Sequence, residues 1–159
     1  MYSAYLLSAL VFISGCARTA AQAPPEGMVQ PVGGSGEAAS AEPLENTYWK
    51  LIRLGEAPVT VASGQPEAHF ILHPDTRRVS GSGGCNRLTG SYELSGDQLS
   101  FGNMAGTMMA CQDGMDTERA FLHALQQAHK ARVTRHELEL FDAAGNGLAR
   151  FEARAVSRP

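Results

Sequence analysis

Short β-prone segments separated by turn residues run through most of this sequence. Pro, Gly, Asp and Asn stand between the segments and favour turns, because they preset φ or bond their own backbone. Strands of this length joined by such turns predict an antiparallel meander curled into a partly open, barrel-like sheet. The candidate strands are residues 47–52, 68–72, 77–81, 88–94, 98–101, 132–134, 137–141 and 148–151.

One segment departs from the strand pattern. Residues 115–132 carry long helix-forming side chains and contain neither Gly nor Pro. We expect Asp113 or Asp116 to cap the start of the helix. The basic residues near its end, His129, Lys130 and Arg132, suit the negative end of the helix dipole. The segment therefore predicts one packed α-helix, which together with the strands gives an α+β fold. Its apolar stripe on one helical face consists of Phe121, Leu122, Leu125 and Ala128.

A short apolar run near the beginning closes with Ile13-Ser14-Gly15-Cys16. A branched residue, two small residues and then Cys is the pattern of a bacterial lipoprotein signal. Residues 5–13 are too short to span a bilayer, which takes about 20 residues. We expect cleavage before Cys16, with acyl chains on its sulfur and new amino group that anchor the protein to a membrane. Because residues 1–16 hold no Lys or Arg, the alternative is a degraded signal or a different start.

The predicted organisation has four parts. Residues 1–15 are the signal peptide, and residues 16–43 are the lipidated Cys16 and a disordered tether rich in Ala, Gly, Pro, Ser and Glu. Residues 44–154 form the folded domain, and residues 155–159 are a tail. Ala17, which follows the lipidated cysteine, is not the acidic residue of an inner-membrane retention signal. We therefore expect an outer-membrane location facing the periplasm.

The three cysteines divide into one lipid site and one pair. If Cys16 carries lipid, Cys85 and Cys111 remain in an oxidising compartment, where two thiols are expected to join. Closing the loop between them would stabilise the fold by about 3 kcal/mol in the chain-entropy model. The alternative is two buried free thiols that act as small hydrophobes.

Composition and motifs weigh against several classes of function. The net charge is −3, and no basic stripe is present, so nucleic acid is not expected as a partner. The five histidines are scattered along the sequence, which weighs against a metal site. Thioethers can bind copper(I), but methionine commonly fills irregular cores, so we predict a core position for Met104, Met108, Met109 and Met115. No nucleophile motif and no Cys-x-x-Cys pair occurs. We therefore expect no catalytic residue, no cofactor and no metal.

Several elements, in order, resemble the META domain family of HslJ-like heat-shock lipoproteins. They are YWKL at 48–51, SGGCNRLTGSY at 82–92, MAGTMMAC at 104–111, MDTERAFL at 115–122, LEL at 138–140 and LARF at 148–151. The resemblance implies an α+β fold of mostly antiparallel strands with one helix, an envelope setting, and links to stress and drug tolerance, but no enzyme activity. The residues that carry the family signature are Gly84, Cys85, Asn86, Arg87, Gly90, Thr107 and Cys111.

These observations favour a lipid-anchored, non-catalytic domain that serves as a stress-related binding or structural module. Its expected partners are the membrane, through the lipid, and another envelope protein, met at a sheet edge or at the mouth of the barrel. Two alternatives stay open from the sequence. One is a thiol-disulfide redox role for Cys85 and Cys111, and the other is a carrier of a small hydrophobe inside the barrel.

Overall fold

The computed structural model describes residues 41–154. The predicted signal peptide, the predicted lipid site at Cys16, most of the predicted tether and the predicted tail lie outside the described residues. Glu42 already belongs to the folded domain, because its backbone N–H donates to the carbonyl of Arg135 at 2.8 Å. Its carboxylate also lies 3.1 Å from Nδ1 of His136.

The described residues form nine strands and one helix. Burial alternates along the strands: in the third strand, Phe70 and Leu72 face the core while their neighbours are half-buried. This alternation follows from the two-residue period of a strand with one buried face. The elements are β1 (Tyr48–Leu54), β2 (Ala57–Pro58), β3 (His69–His73), β4 (Arg78–Ser82), β5 (Arg87–Ser95), β6 (Gln98–Gly106), α1 (Met115–Gln127), β7 (Lys130–Thr134), β8 (Glu137–Phe141) and β9 (Gly147–Arg154).

The strands pair antiparallel, each with its neighbours in a ring. From β3 to β9 the spatial order follows the chain, and β1 pairs with both β3 and β9, so the first and last strands of the domain meet. The short β2 adds to the end of β1. The predicted α+β class, with an antiparallel meander that curls on itself and one packed helix, is therefore confirmed. The ring removes the long free edges that an open sheet would leave.

The pairing between β6 and β7 is the shortest in the ring. It has one paired position, Gln98 with Lys130, flanked by the hydrogen bonds from Leu99 N to His129 O and from Ala131 N to Asp97 O. Further along, β6 bulges against β5, and Asn103 there adopts a φ of 50°. Such a bulge bends the strand and increases its twist.

The helix ends earlier than the sequence predicted. It runs Met115–Gln127, and Ala128 has extended backbone angles, so the prediction that residues 128–132 are helical was wrong. The backbone N–H of His129 donates to Phe141 and its carbonyl accepts from Leu99, which places this segment between two strands. This pairing on both sides outweighs the helical preference of the side chains. The predicted acidic cap was also wrong, because Gly114 is the N-cap and no side chain caps the helix.

The core fills the inside of the ring. Trp49, Phe70, Phe121 and Phe151 are almost fully buried, and α1 contributes Phe121 and Leu125. The ring of Phe70 meets that of Phe151 edge-on at a centroid distance of 5.0 Å, a favoured geometry for aromatic pairs. The indole N–H of Trp49 donates to Leu44 O at 2.9 Å. Among residues 41–154, no helix has the length and apolar character needed to cross a bilayer.

We expect Gly81→Ala to destabilise the domain by about 3 kcal/mol in urea unfolding, because overpacking between paired strands cannot relax. A Cβ at position 81 would collide with the backbone of β3 at the carbonyl of His69. Gly147→Ala is the matched control, since a Cβ there meets nothing within 4 Å. Equal midpoints for the two variants would contradict the close approach of β3 and β4.

Candidate functional site

The turn between β4 and β5 carries the first half of the family signature. Gly84 adopts a φ of 106°, which side chains rarely tolerate, and its N–H donates to Ser82 Oγ at 3.1 Å. The N–H of Gly83 donates to the carbonyl of Asn86 at 2.8 Å. A Cβ at position 83 would collide with the side chain of Glu118, so glycine is required for the helix to approach this turn.

Asn86 lies at the centre of a buried hydrogen-bond network. Its Oδ1 accepts from the hydroxyl of Thr107 and from the N–H of Met109, both at 2.8 Å. Its Nδ2 donates to Glu118 Oε1 at 2.8 Å and to Met109 O at 3.3 Å. Its backbone N–H donates to Glu118 Oε2 at 2.6 Å. One side chain thus joins the β4–β5 turn, the segment after β6 and the helix.

Glu118 is a buried residue of the helix that the sequence analysis did not single out. It is only 8% exposed, and both carboxylate oxygens accept hydrogen bonds from Asn86. The spacing of Glu118, Phe121 and Leu125, three and then four residues, puts all three on one helical face. That spacing is the signal in the sequence that could have identified it.

Cys85 and Cys111 form a disulfide, with their Cα atoms 6.0 Å apart. Cys85 is 4% exposed, and Cys111 is half-buried. Thiol–disulfide exchange requires an attacking thiolate to reach a sulfur, and the burial of Cys85 restricts that access. The bond ties the β4–β5 turn to the segment before α1, beside the Asn86 network.

The remaining signature residues differ in what they contact. A Cβ on Gly90 would collide with the sulfur of Met104, so this glycine lets β5 and β6 approach closely. Arg87 donates its backbone N–H to Thr107 Oγ1 at 3.2 Å and accepts from Thr107 N at 3.1 Å. Its side chain is exposed, and it makes no hydrogen bond or ion pair with residues 41–154.

The prediction that all four methionines from Met104 to Met115 fill the core was wrong. Met104 packs against the core, but Met108 is 99% exposed and Met109 is 56% exposed. Met115 also reaches solvent. The backbone of Met109 is held by Asn86, which fixes this segment outside the ring. The exposed side chains of Met108 and Met109 therefore form a small apolar surface beside the disulfide, which we call the Met108–Met109 knuckle.

A second cluster lies where β1 meets β3. The rings of Tyr48 and His69 stack at 4.1 Å, and Lys50 Nζ lies 2.7 Å from Glu67 Oε2. Burial, followed by the hydrogen bond with Glu67, raises the pKa of Tyr48. Burial alone would raise the pKa of Glu67, but hydrogen bonds from Lys50 and Tyr48 outweigh it and lower that pKa overall. Glu67 is therefore an ionised, paired carboxylate.

Tyr92 is a second tyrosine with a raised pKa, and its hydroxyl donates to the carboxylate of Glu45. Burial and this acidic partner raise the pKa of Tyr92 to about 12. Both tyrosines are thus held neutral in structural contacts. His69 bonds to the carbonyl of Glu67 and His73 to Ser80 Oγ, and the part of the chain that the structure describes contains no group of three potential metal ligands.

The domain defined here is a ring of antiparallel strands with one helix and a disulfide cross-link. The sequence model of the META domain family matches residues 42–155. The chain therefore belongs to the META domain family. No curated protein matches it.

Three solved structures are similar. A protein from Burkholderia xenovorans, solved by NMR, is 30% identical, covers 80% of this chain and 100% of its own, and gives a TM-score of 0.58. A second NMR structure is 22% identical, covers 69% of this chain and 90% of its own, and gives a TM-score of 0.54. A DUF4847 family protein from Bacteroides vulgatus is 13% identical, covers 69% of this chain and 93% of its own, and gives a TM-score of 0.51. The latter two support the fold alone.

We expect Glu118→Gln to cost about 2 kcal/mol of unfolding free energy, because a buried donor loses its acceptor. Glutamine offers one oxygen, so its amide group would face one of the two N–H donors of Asn86 that the carboxylate now accepts. The control is Glu93→Gln, a change at an exposed residue of β5, where we expect a difference within about 0.5 kcal/mol. Equal stability of the two variants in urea unfolding would contradict a stabilising role for the buried network.

Proposed function

We propose that this chain is a lipid-anchored protein of the bacterial envelope whose META domain acts as a non-catalytic binding module. The observation that carries the proposal is the Cys85–Cys111 disulfide set beside the buried Asn86 network. Such a bond persists in an oxidising compartment. The lipoprotein pattern that ends at Cys16 supplies a route to that compartment.

The surroundings of the disulfide support a structural use of the bond rather than a redox one. Redox cysteines are accessible, whereas Cys85 is almost fully buried and Cys111 is half-buried. The inside of the ring is packed with Trp49, Phe70, Phe121 and Phe151, which argues against a hydrophobe carrier. A rigid domain with a filled core and an exposed, fixed segment at residues 107–110 suits recognition of a partner.

The stress-related role follows from the family resemblance and belongs to the proposal. A domain whose fold is cross-linked by a disulfide keeps its shape when its surroundings are perturbed, because the unfolded chain is constrained. Survival of a deletion strain after heat challenge, with and without the gene restored, tests this part directly.

Intact mass spectrometry of the protein extracted from membranes tests the anchor and the cross-link together. We expect the mass of residues 16–159 plus acyl groups, with a gain of two hydrogens on reduction, since one disulfide takes up two. A protein without lipid would contradict the envelope proposal. A lipidated protein with two free thiols would contradict the disulfide.

Sorting to the outer membrane is proposed because Ala17 follows the lipidated cysteine. In a Gram-negative host we expect Ala17→Asp to move the protein to inner-membrane fractions in a density gradient, since an acidic residue there resembles a retention signal. Ala17→Ser is the control and should stay with the outer membrane. Recovery of the unchanged protein in inner-membrane fractions alone would overturn this location.

A further inference from the structure

Arg87 is the signature residue whose side chain the fold does not use. Gly84 makes the turn, Cys85 and Cys111 bond each other, and Asn86 accepts from Thr107. The backbone of Arg87 is fixed by two hydrogen bonds with Thr107, while its guanidinium makes no polar contact with residues 41–154. A fixed backbone with a free, planar donor group is preorganised for a ligand.

Arg87 borders an open groove on the outer face of β3 to β6. The groove has a volume of about 730 Å³, within the ordinary range for binding sites. Ala105 on β6 lies opposite the exposed Thr89 of β5, and its short side chain leaves the outer surface low at this point. The polar side chains that line it are His69, Ser80, Ser82, Arg87, Thr89 and Thr107.

The groove differs in charge from the other side of the ring. On β7 to β9, Glu139 lies 2.6 Å from Arg150 and 4.0 Å from Arg132, so those cations are paired. On the groove side, Arg78 donates to the neutral hydroxyl of Thr89 at 3.0 Å, and no described carboxylate lies within ion-pair distance of Arg78 or Arg87. The nearby Glu67 is already neutralised by Lys50. Arg87 is therefore an arginine of the groove lining that has no acidic partner among residues 41–154, on a chain that is acidic overall.

An apolar contact point adjoins this charge. Thr107 lines the groove, and the next two residues are the exposed Met108 and Met109. Methionine and arginine are both enriched in protein interfaces, and thioethers adapt to varied partner surfaces. An anionic membrane would instead favour a cluster of about 4–8 Lys and Arg residues. The groove face has Arg78 and Arg87 and no lysine, which favours a protein partner over a lipid surface.

We propose that this groove binds an acidic segment of a partner protein. Arg87 donates to a carboxylate of the segment, and the Met108–Met109 knuckle packs against an apolar residue beside that carboxylate. The hydroxyls of Ser80 and Thr89 offer further hydrogen bonds to the bound backbone. The inference rests on the proposed binding role of the domain, but it does not depend on the lipid anchor.

NMR titration of the isotope-labelled whole chain in uncharged detergent micelles tests the groove. The probe is an acetylated peptide amide, Ala-Leu-Glu-Leu-Ala, and its control contains Gln in place of Glu. We expect the Glu peptide to shift the side-chain N–H of Arg87 and the amides of Ser80, Thr89 and Thr107. Arg87→Gln should weaken binding by about tenfold, the effect of losing one charge-assisted contact.

The matched control variant is Arg135→Gln, which removes the same charge from an exposed turn away from the groove. It should bind the Glu peptide as the unchanged protein does, and both variants should unfold at the same urea concentration. Equal binding of the Gln peptide, equal weakening by both variants, or no shift at millimolar peptide would each overturn the proposal. Shifts of these residues caused only by phosphatidylglycerol vesicles would also overturn it. Such failures would leave the lipid-anchor mass measurement unaffected, so the two proposals fail separately.

Discussion

The pairing of Asn86 with Glu118 is the contact on which the rest of the structure depends. These residues are 32 positions apart, and the two hydrogen bonds between them join the β4–β5 turn to the helix. A buried carboxylate is costly unless its oxygens are satisfied, and here both accept from Asn86. In the same place, Asn86 also holds Thr107 and Met109, so the helix, the turn and the end of β6 take their positions from one side chain.

The disulfide and this network restrict the same region in different ways. The bond between Cys85 and Cys111 limits the unfolded chain, whereas the hydrogen bonds select one arrangement of the folded one. Gly83 permits the network, because any larger residue would push Glu118 away from the turn. The result is a segment at residues 107–110 that is exposed and yet fixed. Such a segment loses little entropy on binding, which is the advantage of preorganisation.

Much of the fold could be predicted from the sequence, because strand alternation and turn residues act locally. Burial of Phe70 and Leu72 in alternation, for example, follows directly from the two-residue period of a strand. The end of the helix could not be predicted in this way, since the pairing of His129 with Phe141 and Leu99 depends on distant strands. The strand ends also differed from the prediction by a few residues, most of all in β6, which extends to Gly106 because β5 pairs with it that far.

The site was predictable only in part, for reasons of chemistry. Glu118 stands at the right spacing for the buried face, but a carboxylate is ordinarily assigned to solvent unless its partner is known. Asn86 supplies that partner from another element, and a single sequence does not connect the two. The exposure of Met108 was missed for the same reason. An apolar side chain is expected inside, whereas the hydrogen bonds of Thr107 and Met109 with Asn86 hold this segment on the outside.

Three titratable groups with shifted pKa values take part in structural contacts of the domain. A general acid or base needs a pKa tuned towards neutrality in a cleft. The tyrosines with raised pKa values, Tyr48 and Tyr92, move further from neutrality, and the pKa of Glu67 moves below its usual value. All three are engaged in structural pairs. The groove therefore presents a fixed arginine, hydroxyls and adjoining thioethers, a set of groups that can orient and hold a partner. Binding specificity would then depend on where Arg87 is placed, and the Asn86 network and the disulfide determine that position.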